Sequence, residues 1–208
     1  MTFKTLAVAA SLALTAGTAS AAIVQNGSFE DNAGYNNGNT WGTYDSIPGW
    51  TAVPGQKIEI QDNNTISPSP DIDAQDGDWY VELDSDFNSG MYQDVTFANA
   101  GKYVLSFWYT PHTSEIGDNR IDYSLAGLAT GTVDGQYYEP WKQVISDVFE
   151  VVAGQTVRLS FNAGGTSNSL GGFIDNVSIA PVPLPAAGLL LMGGLAGLGA
   201  VARRRRQA

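Results

Sequence analysis

Residues 102–110 read KYVLSFWYT and residues 155–163 read QTVRLSFNA. In the first, Tyr103, Leu105, Phe107 and Tyr109 fall on one side of an extended chain. In the second, Val157, Leu159 and Phe161 do so, with Thr156, Arg158 and Ser160 opposite. This period of two belongs to half-buried β-strands. Similar runs recur at 57–61, 78–84, 91–97, 120–126, 141–151 and 172–180, and no stretch between them has helical periodicity. The intervals are turn formers: NNGN, SIPGW, VPGQ, DNNTISPSP, QDGD, NAGK, VAGQ and NAGGTSNSLGG. Many short strands without helical interludes predict an all-β fold, an antiparallel β-sandwich or barrel.

Both ends differ from this pattern. Lys4, a largely apolar run over residues 6–16 and the A-x-A site Ala19-Ser20-Ala21 predict a signal peptide, residues 1–21. The mature chain then begins near Ala22, outside the cytoplasm. The 208-residue chain has no cysteine, so its stability must come from core burial, with or without a metal. At the other end, the seventeen small or apolar residues 186–202 precede Arg203, Arg204, Arg205 and Arg206. As a helix they span about 25 Å at ~1.5 Å per residue, close to a hydrocarbon core of about 30 Å. The four arginines would act as a membrane stop, holding the C-terminus in the cytoplasm.

Removing the tails sharpens the charge. Residues 22–181 hold five Lys and Arg against all 21 Asp and Glu, a net of −16. Such a surface repels phosphate backbones, which argues against nucleic acid as a partner. It suits solubility, cations and neutral polymers such as polysaccharide.

Five landmarks in the body, NGSFE (26–30), IPGW (47–50), DGDWYVELDS (76–85), GKYVLSFWY (101–109) and GFIDNVSI (172–179), resemble those of galactose-binding-like jelly rolls. That group includes many carbohydrate-binding modules. The resemblance implies a jelly-roll β-sandwich, residues 22–181, with first and last strands side by side. The tail, Val182-Pro183-Leu184-Pro185-Ala186, then the apolar segment, then the arginines, resembles the VPLPA variant of the PEP-CTERM sorting signal, residues 182–208. Such signals are read by exosortases in Gram-negative bacteria that make extracellular polysaccharide. The resemblance implies a sorting enzyme as partner and a transient stay in the inner membrane as a hydrophobic helix. Release to the cell surface or the extracellular matrix would follow.

Nothing in the body predicts catalysis. There is no GxSxG and no cysteine nucleophile, and the one histidine, His112, stands beside a proline as a solvated loop residue would. With 21 acids, some carboxylate pair at glycosidase spacing is expected by chance. A metal fits better. DIDAQDGD (71–78) fails as an EF-hand loop, because its fifth and sixth positions are Gln75 and Asp76. Asp175 shares the alternating face of Phe173, Val177 and Ile179, where a carboxylate must be paired, hydrogen-bonded or neutralised. Related jelly rolls often hold a structural Ca²⁺ where the first and last strands meet, and the matching positions here are Glu30 and Asp175. The alternative is that Asp175 accepts backbone N–H groups or pairs with Arg158.

Sugar binding calls for aromatic platforms beside polar groups. Trp50, Trp79 and Trp141 are expected in the core. Trp108 lies opposite the apolar face of its strand, and Trp41, Tyr44, Tyr137 and Tyr138 sit in Gly/Asn-rich or loop segments, which makes these five the candidate ligand-binding aromatics. Three readings follow: a non-catalytic exported protein associated with exopolysaccharide or biofilm, a lectin-like module with a defined glycan site, and a glycan-acting enzyme.

Overall fold

Alternation along each strand separates an interior from an exterior, and the structure, a computed structural model, follows it closely. Residues 22–32, 34, 38–65, 72–136 and 139–183 are described. The signal segment 1–21, Tyr137, Tyr138 and the chain from Leu184 through the arginines lie outside the described residues. Among the described residues no helix is long and apolar enough to cross a membrane.

The described residues form thirteen strands in two antiparallel sheets. The first contains β1 (Trp41–Tyr44), β4 (Ile58–Asp62), β5 (Trp79–Leu83), β13 (Gly172–Pro181), β7 (Gly101–Thr110) and β10 (Lys142–Ile145) in that order, with β11 (Phe149–Val151) also on β7. The second runs β2 (Ser46–Ile47), β3 (Trp50–Ala52), β6 (Gly90–Thr96), β12 (Thr156–Ala163), β8 (Ile121–Leu125) and β9 (Ala129–Val133). The sandwich is the all-β jelly-roll architecture expected. The candidate strand 141–151 is in fact two, because Ser146 leaves the ladder: its hydroxyl accepts the Leu105 N–H while its own N–H donates to the Leu105 carbonyl. The segment expected as a loop at Trp41 is a strand.

The core lies between the sheets. Leu105, Phe107, Leu159, Phe161, Val177 and Ile179 are all buried in it. The Phe107 ring meets Phe161 at 5.0 Å and Tyr123 at 5.1 Å, edge to face. Trp50 is buried beside Phe29 and Phe161, as expected. Trp79 is only partly buried against this core. Trp141 is not in it: its ring packs edge-on against Tyr80 on the outside of the first sheet, with its indole N–H on the Asp73 carbonyl at 2.7 Å.

One irregularity changes the reading of the last strand. The β13–β7 register shifts between Asp175 and Ser178, with Asn176 at φ +48°. A β-bulge of this kind adds one residue and reverses which face the following side chains occupy. Ile174, Val177 and Ile179 therefore enter the sandwich, whereas Phe173 and Asp175 face outward beside Thr110 and Trp108. The expectation that Asp175 shares a face with Val177 and Ile179 is corrected accordingly. The opening motif is also not a strand. It lies against β13 as an irregular segment, with the Val177 N–H donating to the Gly27 carbonyl at 2.8 Å.

Candidate functional site

The outer face of the first sheet carries the chemistry. On β4, Ile58 and Ile60 point inward, so Glu59 and Gln61 point out; on β5, Val81 and Leu83 point inward, so Tyr80 and Glu82 point out. The antiparallel register sets Glu59 opposite Glu82. Trp41, on the neighbouring edge strand β1, is in register with Gln61 and is 53% exposed.

Loops from distant parts of the chain wall this face in. Asn119 is buried and ties the 112–119 loop: its Oδ1 accepts the N–H groups of His112 and Thr113 at 2.7 and 2.9 Å, and its Nδ2 donates to the Thr113 and Gly135 carbonyls. Asp84 binds a second loop, accepting the N–H groups of Asn168 and Ser169 at 2.8 and 3.0 Å. Its φ of +131° is strained for a residue with a Cβ. Gly171 passes so close to β5 that a Cβ there would collide with the Leu83 carbonyl. Together these walls leave a pocket of about 270 Å³, with Trp41 at its rim and Glu59, Gln61, Glu82 and His112 among its lining.

The floor is a single hydrogen-bonded network. Gln61 Nε2 donates to Glu59 Oε1 at 2.9 Å and to Glu82 Oε2 at 2.5 Å. Glu82 Oε1 lies 2.9 Å from His112 Nδ1 and accepts the Gly171 N–H at 2.9 Å. The His112 ring packs on Phe173 at 4.6 Å. Burial, and next the charge of Glu82, push the Glu59 carboxyl up to about 8. Burial also pushes Glu82 up, against the pull of its hydrogen bond to His112. His112 is thus 5% exposed and part of the floor, not a solvated loop residue. Asn119 draws its loop inward, an effect no local pattern announces.

Of the aromatics expected to bind ligand, Trp41 alone lines this pocket among the described residues. Tyr44, three residues further along β1, turns the other way and packs against the core. Trp108 is half-buried on the outer face, in register with Asp175 and Gln143, and is not part of the pocket lining. Tyr137 and Tyr138 lie outside the described residues. Sequence reasoning missed Glu59, Gln61 and Glu82. The alternation of KIEIQ and DWYVELD marks their shared side, but the covering loops arrive from up to a hundred residues away.

Glu30 and Asp175 are brought to one place. Both grip the turn 75–79: Asp175 Oδ2 accepts the N–H groups of Gln75 and Asp76 at 2.8 and 2.9 Å, and Glu30 Oε1 those of Asp78 and Trp79 at 2.8 and 2.9 Å. Gly77, at φ +89°, has no room for a Cβ against the Glu30 carboxylate. Asp175 is fully buried, and burial pushes it up to about 7 against the pull of its backbone donors. Arg158 is not its partner. That side chain pairs with Asp94 at 2.8 Å on the other sheet. Among the described residues no three acids or histidines meet as a metal-holding group. Backbone carbonyls would therefore have to complete any calcium shell of six to eight oxygens.

No family model matches the chain, and no curated protein matches it. Solved structures do overlap it. They include TmCBM61 in complex with β-1,4-galactotriose, at 20% identity and TM-score 0.49, covering 78% of this chain and 100% of that one. Family 16 Carbohydrate Binding Module-2 overlaps at 18% identity and TM-score 0.43, covering 76% and 99%. A family 35 carbohydrate binding module from Clostridium thermocellum overlaps at 16% and 0.40, covering 64% and 99%. These likenesses are remote and carry nothing about ligand or site.

Proposed function

We propose that this chain is an exported, non-catalytic protein that binds polysaccharide through the outer-face pocket and associates with exopolysaccharide or biofilm matrix. The observation that carries the reading is an exposed Trp41 at the rim of a pocket floored by buried hydrogen-bonding side chains. An indole face stacks on the apolar face of a sugar ring, while polar groups beneath fix its orientation. The test is binding to a panel of oligosaccharides and to the host's own exopolysaccharide. Trp41→Ala should abolish binding with an unchanged melting curve, and no reducing ends should be released. Binding undiminished in Trp41→Ala would remove this pocket from the reading.

The tails belong to the same proposal. The VPLPA segment, apolar run and arginines fit sorting by an exosortase-type enzyme, after export by the signal peptide and a transient stay in the inner membrane. A structural calcium is also part of it. Glu30 and Asp175 would hold the ion with backbone carbonyls of the turn they grip, supplying positive charge where a buried carboxylate has no cationic side chain in contact among the described residues.

A further inference from the structure

Two buried polar atoms of the pocket have no hydrogen-bond partner among the described residues. Gln61 is 4% exposed and spends its Nε2 on the two glutamates, while its Oε1 has no hydrogen-bond partner among the described residues. Ser85, 5% exposed, lines the same pocket with an unpartnered Oγ. Buried polar atoms are almost always matched in folded proteins, so atoms left over at the floor of a pocket mark where a ligand completes the network. Gln61 Oε1 can only accept, and Ser85 Oγ can accept as well.

The charge of the pocket narrows the ligand further. Glu59, Glu82 and Asp86 line it, and among the described residues no Lys or Arg does. Asp84 adds to the negative field on both glutamates from the end of β5. An anionic sugar such as a uronate would meet repulsion from every side. A neutral hydroxyl could satisfy one acceptor but would leave Glu59 holding the proton that burial and the Glu82 charge favour there, and would bring nothing to offset the field of Glu82, Asp84 and Asp86. An ammonium group has three N–H donors and no acceptor, supplies the missing charge, and is attracted to the face of an indole. At about 270 Å³ the pocket is at the small end for a ligand site, enough for one sugar unit with its neighbours outside.

The geometry points to an amine-bearing sugar, a hexosamine unit with its amino group free, as the ligand of this pocket, its ring on Trp41 and its ammonium on Gln61 Oε1, Ser85 Oγ and the Glu59 carboxylate. This rests on the glycan-binding reading and names the class of glycan. The partner polymer would be a hexosamine polysaccharide from which at least some N-acetyl groups have been removed.

Calorimetric titration of the protein purified from its host decides the matter, with three probes: a β-1,4-linked glucosamine tetramer, its fully N-acetylated counterpart and cellotetraose. The amine tetramer should bind about 10-fold tighter or better than either of the others, the effect of one added charge-assisted contact. Glu59→Gln should shrink that preference to within about threefold while neutral sugars still depend on Trp41. Asp86→Asn, in a surface loop, should weaken the amine tetramer in the same direction without a change in melting. Equal or tighter binding of the acetylated or neutral tetramer overturns the amine assignment and leaves the glycan-binding reading standing. Amine binding that survives Trp41→Ala and Glu59→Gln, and disappears at about 0.5 M salt, marks only general attraction to an acidic surface and also overturns it. Failure of all three probes overturns it as well, and failure of the wider panel with them removes the glycan-binding reading too.

Discussion

Glu59 faces Glu82 across two strands, and this fixes how the protein responds to pH. The Glu59 carboxyl, ordinarily near 4.5, sits at about 8 in the fold, and Asp175, ordinarily near 3.8, at about 7. Between those values the folded chain keeps protons that the unfolded chain has released. Stability tied to these groups is therefore fully present below about pH 4 and falls as pH rises toward 8. The surface acids Asp94 and Asp122, held low by Arg158 and by Thr132 and Arg120, act in the opposite sense, but only in the acid range. In the absence of calcium the melting temperature should thus decline from pH 5 to pH 8, and Glu59→Gln should flatten the decline. An equally steep decline in the variant would assign it to other groups, and a rising curve would contradict the burial of this pair. Part of this was legible in the sequence. KIEIQ shows that Glu59 and Gln61 share a side, and 21 acids make a pair unsurprising. That the side is buried was not legible, because Asp84, Asn119 and Gly171 each draw in a remote loop by contacts without local sequence period.

Strands were read best where apolar alternation is long. On β7 and β12 the expected inward residues are the observed ones, and Phe107 lies between the rings of Phe161 and Tyr123. Phe107→Ala should cost about 3 to 5 kcal/mol, a large share of a domain's usual stability, read as a fall in denaturation midpoint at unchanged slope. A cost below about 1 kcal/mol would show that the site collapses around the gap. Short or interrupted elements were read poorly. WGTY is too brief to show a period, and the bulge at Asn176 reverses the face of β13 halfway along. The same bulge sends Asp175 outward to the turn 75–79, which Glu30 grips from the other side. If calcium is held there, excess chelator should lower the melting temperature, as expected for an ion bound only by the folded chain. Asp175→Asn should lower it without chelator and make it insensitive to added calcium. A curve unmoved by chelator would leave these acids as acceptors for backbone N–H groups alone.

Across the whole molecule, the pocket and the last described residues, 182 and 183, lie at opposite ends of β13. The pocket gathers where β5 and β7 end and β13 begins, near Ser85, His112 and Leu170. β13 then runs ten residues, about 30 Å at ~3.3 Å per residue, to Pro181, which pairs with Tyr103 near the start of β7. Val182 makes one last ladder-like bond, its N–H on the Lys102 carbonyl at 2.8 Å. Pro183 is exposed and, having no N–H, cannot continue the pairing. The described pairing therefore ends at Val182, the first residue of the VPLPA motif, and a cut after it removes no core residue among those described. A chain ending at Pro183 should keep the melting temperature and the sugar affinity of the longer chain. Mass spectrometry of protein from the native host should find Ala22 at the front and no Arg203 to Arg206 at the back, while replacing the four arginines with serine should weaken retention at the inner membrane. Mature protein that still carries the arginines would make the tail a lasting anchor rather than a sorting signal.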